Sequence, residues 1–189
     1  MSLIIKGIWR DTLTYEDGRV VVGDWMHNQP QVTGSTLMSA LFAETATNAN
    51  PTLGGIQYMA VGAGLAAWDS QTPVPGTDLL YTDTTLKDEK ARFALSSSDF
   101  SYLDVTSEAA VGTPTSGSKS RLLKITVSLT SAVDDVLLRE FALFGGNATG
   151  TADSGYMINW IAHTAFTKTS GVSVVREIKL KFLSKSEYT

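Results

Sequence analysis

The chain contains no cysteine. That excludes disulfide scaffolds, thiol catalysis and cysteine-ligated zinc or iron–sulfur centres, and it fits assembly in a reducing compartment. Histidine is nearly as scarce. His27 and His163 lie far apart, without a neighbouring ligand pattern, whereas a histidine metal site needs ordered spacing such as two residues one helical turn apart. Long apolar runs are missing, so no segment is expected to span a bilayer. The opening MSLIIKG has no basic stretch leading into an apolar one, so no secretory signal is expected either. Positive charge is not in excess: 15 Lys and Arg against 19 Asp and Glu leave a net charge of −4. Nothing in that balance draws the chain to nucleic acid or anionic lipid.

What is present suits a folded domain. With 189 residues and 43% hydrophobic content, the chain has enough apolar material to bury a core and argues against disorder. Residues 3–10 and 19–25 are apolar and β-branched, and Glu16-Asp17-Gly18 between them supplies a turn that tolerates positive φ, so an N-terminal hairpin is expected. After Pro30, Leu37, Met38, Leu41 and Phe42 recur at helical spacing, which predicts one short helix near 35–45 with Thr33 or Ser35 as its cap.

The remaining pattern is β. Ile56–Val61, Leu137–Phe144 and Tyr156–Ala162 read as strands apolar on both faces. Leu123, Ile125, Val127 and Leu129 alternate with polar residues, and so do Val174, Ile178, Leu180 and Phe182, with Arg176 an exception on the apolar side. Further strands are expected at 88–95 and 99–105. The stretch 107–119, rich in Ser, Gly and Thr, is expected to be flexible. Together these predict a mainly β protein, an antiparallel sandwich or barrel-like domain with one short helix and long loops. A single domain over 1–189 is expected, the hairpin and helix of 1–50 packing on the sheet of 55–183.

Candidate chemistry is sparse. Asp134-Asp135 and Asp88-Glu89 are adjacent carboxylates, which a strand turns to opposite faces, so solvated charges are the better reading. Gly62-Ala63-Gly64 ends an apolar strand but lacks the third glycine, lysine and following helix of a phosphate loop. Arg139-Glu140 is out of place in an apolar strand; either the pair lies at a subunit boundary or Arg139 makes an internal ion pair. Trp9, Trp25 and Trp160 sit in strand contexts and are expected in the core. Trp68, in the long loop 65–85, is the expected contact residue, together with Asp69, Pro73 and Pro75.

One resemblance emerges from the order of several motifs. IQYMAVGAGLAAWD (56–69), TDLLYTDTTL (77–86), LREFALFGG (138–146), SGYMINWIAHTA (154–165) and VVREIKLKF (174–182) follow the hairpin segment GIWRDTLTYEDGRVVVGDWMHNQ (7–29). This series resembles small phage virion proteins associated with tails and tail fibres, including those of phage-tail-like contractile injection particles. The resemblance implies a structural subunit, such as a baseplate, tail-fibre adaptor, cap or short appendage component. It implies no catalytic residue, cofactor or metal, assembly in the bacterial cytoplasm, and a place in a virion or tail-like particle among other tail or baseplate proteins. Self-association as a trimer or hexamer is expected, because three strands apolar on both faces need more cover than one helix provides. The competing classes are a module that binds host-surface glycan, for which Trp68 and Asp69 form the best shelf, and a hydrolytic tail enzyme.

Overall fold

The computed structural model describes residues 3–43, 54–71, 80, 82–112 and 120–184. In chain order the strands are β1 (Leu3–Tyr15), β2 (Val20–Val22), β3 (Met26–His27), β4 (Gln29–Pro30), β5 (Gly54–Gly62), β6 (Glu89–Ala94), β7 (Phe100–Asp104), β8 (Ala110–Val111), β9 (Ser120–Leu129), β10 (Leu137–Gly146), β11 (Tyr156–Thr167) and β12 (Val172–Ser184). One helix, α1 (Val32–Ala43), and three short 3-10 turns complete the described residues. The fold class is the one expected: mainly β, antiparallel, sandwich- or barrel-like, with one short helix.

Contacts group the chain into two compact units that interleave in sequence. Unit 1 takes Met1–Asn28, Ser96–Ser128 and Ser173–Thr189; unit 2 takes Gln29–Leu95 and Leu129–Val172. The chain therefore passes between them more than once, and no one linker separates them. The N-terminal hairpin belongs to unit 1 and α1 to unit 2.

Unit 1 holds the seven-stranded sheet, ordered β2-β1-β12-β9-β7-β8, with β3 also paired to β1. The β1–β2 hairpin turns at Gly18, whose φ of 82° lies in the left-handed region where glycine carries no Cβ penalty. Gly18 N donates to Tyr15 O, and Tyr15 N to Arg19 O, each at 2.9 Å, which closes a turn with a glycine bulge. The alternation expected along β9 holds for the buried Ile125, Val127 and Leu129, but at its start Leu122 is buried rather than Leu123.

Unit 2 holds the five-stranded sheet, ordered β4-β11-β10-β5-β6. Its central strand, β10, pairs antiparallel with both β11 and β5. Every residue from Leu138 to Gly146 is buried. The helix starts earlier than expected, and neither proposed cap acts as one. Thr33 Oγ1 instead donates to Met157 O on β11 at 2.5 Å, while Gly34 and Ser35 N–H groups bond to Gln31 O. This docking requires Gly34, where a Cβ would stand 2.7 Å from Ile158 O. Leu37 then fills the space above Gly145 and Gly146.

The strands that read as apolar on both faces are thus largely covered. Met59–Gly62, Leu138–Phe144 and Asn159–Ala162 are buried within this single chain, so their composition is not in itself a demand for a partner. Among the described residues, the large apolar side chains left exposed are on β2, β3 and β8, at Val32, Leu65 and Leu80, and at Leu137, the first residue of β10.

Candidate functional site

The segment expected to make contacts begins where β5 ends. Gly64 adopts φ 55°, and a Cβ there would meet the Trp68 ring at 2.3 Å, so the glycine makes room for the indole. The chain then enters a 3-10 turn, Ala66–Ser70, that carries Trp68 inward. Trp68 is fully buried, 6.3 Å from the Trp160 ring at an interplanar angle of 59°. This corrects the expectation of an exposed aromatic: the indole belongs to a core with Ala60, Phe144, Met157 and Trp160, and its large apolar area outweighs the polarity of the loop sequence. Pro73 and Pro75 lie outside the described residues.

Asp69 is the exposed member of the set, and it is already engaged. Arg139 Nε and Nη2 donate to its two carboxylate oxygens at 2.8 and 2.7 Å, and Arg139 Nη1 donates to Ala63 O at 3.0 Å. Of the two readings of Arg139, the internal ion pair is the one observed. The fork geometry suits arginine. The hydrogen bond from Arg139 holds Asp69 below the ordinary carboxylate range, and the same bond raises the arginine.

Glu140, the next residue, faces the opposite way and is fully buried. Its Oε1 accepts from Gly64 N at 3.2 Å and Asp88 N at 2.8 Å, while Oε2 accepts from Lys87 N at 3.1 Å and Trp160 Nε1 at 2.9 Å. Burial pushes this carboxyl up, although the donors pull in the other direction. The Gly62-Ala63-Gly64 turn therefore supplies one N–H, that of Gly64, to a cage of donors filled by the protein's own carboxylate. Sequence reasoning marked both the turn and the odd Glu140 but had no means of joining them.

Other polar groups are similarly paired within their units. In unit 2, Arg92 forms a fork with Glu89 and bonds Ser154 O at 2.8 Å, tying the 147–155 loop to β6. Asp88 pairs with Lys90, and Asp134 with Lys168. In unit 1, Arg176 donates to both oxygens of Asp11 at 2.7 and 2.6 Å, and its guanidinium lies 4.9 Å from the centre of the Trp9 ring. That explains an arginine on the apolar side of β12. Glu177 accepts from Arg10 and Lys124; burial works against its charge, but the two cations hold it below the ordinary range. Trp25 is half-buried under Arg10 and Lys179.

Among the described residues, no group of three or more His, Asp or Glu is placed to hold a metal ion. His27 is exposed on β3. His163 is buried on β11 between Phe141 and Phe166, its Nδ1 2.9 Å from Thr164 O. An open cleft of about 520 Å³ lies in unit 1, lined by Ser97, Phe100, Ser101, Tyr102, Ala110 and Val111. No described helix is long and apolar enough to cross a membrane. No protein-family model, curated protein or solved structure matches the chain.

Proposed function

We propose that this chain is a non-enzymatic structural subunit of a phage or phage-tail-like particle, a baseplate, tail-fibre adaptor, cap or short appendage component that associates with itself and docks to neighbouring particle proteins. The observation that carries the reading is the use made of the motifs behind the resemblance. The turn in AVGAG, the Arg139-Glu140 pair and Trp160 are joined to one another through Glu140, and Asp69 closes the same region through Arg139. These motifs brace a β scaffold instead of presenting reactive groups. The other buried charges, Asp11, Lys168, Arg176 and Lys179, likewise have partners of opposite sign, which suits rigidity more than proton transfer.

The test is to produce particles with and without this gene and inspect them by electron microscopy and protein mass spectrometry. The chain is expected in purified particles at a fixed stoichiometry, and its deletion should remove an appendage or arrest assembly. A chain found only free in solution, with particles unaltered by its loss, overturns the reading.

The second reading, a glycan-binding module of a tail appendage, finds support in the unit 1 cleft rather than in Trp68. Phe100 and Tyr102 offer rings and Ser97 and Ser101 offer hydroxyls there, without a charged lining residue. Retention on immobilised host polysaccharide that Tyr102→Ala abolishes would favour it.

A further inference from the structure

The outer strand of the seven-stranded sheet is β2, and its Val20, Val21 and Val22 are 55, 40 and 53% exposed. Its ladder with β1 fixes which backbone groups remain open. Tyr15 N bonds to Arg19 O and Gly23 N to Asp11 O, with Leu13 opposite Val21 between them. Hydrogen-bonded and non-bonded pairs alternate in an antiparallel ladder. Arg19, Val21 and Gly23 therefore turn their backbone groups toward β1, and Val20 and Val22 turn their N–H and C=O groups outward. Side chains alternate as well, with Val20 and Val22 on one face and Val21 on the other. Among the described residues the edge is open in its backbone and apolar on both sides, a combination that soluble proteins normally avoid.

We propose that this edge pairs antiparallel with the same edge of a second copy, about a two-fold axis at Val21. In that register Val20 stands opposite the partner's Val22, and Val21 faces the partner's Val21. Val20 and Val22 are the residues with outward groups, so the pairing satisfies all of them without breaking a bond in the hairpin. The register sets Arg19 opposite glycine (the partner's Gly23) and Asp24 opposite glycine (the partner's Gly18), so no like charges meet. A two-faced apolar strand is its own complement, and its free groups flank Val21 symmetrically as an isologous contact requires. Three residues a side make a small interface, so one pair is weak and gains strength when many copies are held together. Two trimers joined through such axes form a hexamer. The pairing does not depend on the virion reading.

The absence of native cysteine makes a direct test available. Val21 would face its symmetry mate as a non-hydrogen-bonded pair, about 4.5 Å between Cα atoms, which is within disulfide reach. Val21→Cys should oxidise to a disulfide-linked dimer about tenfold faster than Val111→Cys, a control that is equally exposed at 40% but lies on β8. Adding Val20→Pro should abolish the difference, because it removes only an outward N–H and proline is tolerated on an edge strand. Equal rates for the two cysteine variants, or cross-linking that survives the proline, overturn the proposal. So does a Val21→Cys chain that fails to cross-link while Val20→Pro releases the subunit from its particle; the edge would then bind a different strand, with the virion reading intact.

Discussion

The indole N–H of Trp160 donates to Glu140 Oε2 across 2.9 Å inside unit 2. Both residues are fully buried, and the same carboxylate also receives three backbone N–H groups from two turns. All of its partners are donors, so the site calls for acceptor oxygens even though burial raises the carboxyl, and a side chain of the same shape but different polarity will not serve.

Glu140→Gln tests this. An amide has one acceptor oxygen and would turn its NH₂ toward two of the N–H donors. The expected loss of stability is about 2–3 kcal/mol, read by denaturant unfolding, with the β signal in circular dichroism retained below the transition. A change under about 0.5 kcal/mol, the size of a typical surface substitution, would mean that the cage contributes little.

Acid should act on the two units with opposite sign at two named residues. Glu177 is held below its ordinary range, so its contribution is present above the ordinary carboxylate pKa and is lost as pH falls through the lowered value. Glu140 is raised by burial, so its contribution is greatest below the ordinary pKa and is lost as pH rises through the raised value. Glu177→Gln should therefore flatten the acid limb of the stability profile. Glu140→Gln should leave that limb in place and remove a decline on the higher-pH side. The same profile for both variants would refute the assignment.

Asp11→Ala removes the carboxylate from a fully buried guanidinium, Arg176. The expected cost is about 3–5 kcal/mol, because a charge is left buried without its counterion. The double variant Asp11→Leu with Arg176→Met should cost far less than the two single changes added together. Additive losses would show that the ion pair is not the unit of stability.

Trp68→Ala should act as a core truncation, with a loss of about 3–5 kcal/mol and a lowered thermal midpoint. An effect on association without loss of stability would contradict the buried position of the ring.

Much of the fold was legible because it rests on local chemistry. Alternation and apolar runs marked β5, β6, β7, β9, β10, β11 and β12, the Asp-Gly turn marked the hairpin, and helical spacing marked α1. These signals follow from side-chain periodicity and backbone freedom, which are properties of neighbouring residues. The tertiary structure alone decided which distant residues meet. Nothing near Trp68 announces that its ring turns inward onto Trp160, and nothing near Glu140 announces that Gly64, Lys87 and Asp88 converge on it. Burial of a polar or aromatic group depends on the partners that chain topology delivers, and a charge out of place in an apolar strand reveals only that such partners must exist. The reverse holds for β2. Its valines are apolar and β-branched, as the sequence reading of the hairpin noted, yet they are left exposed, because sheet order puts the strand at an edge.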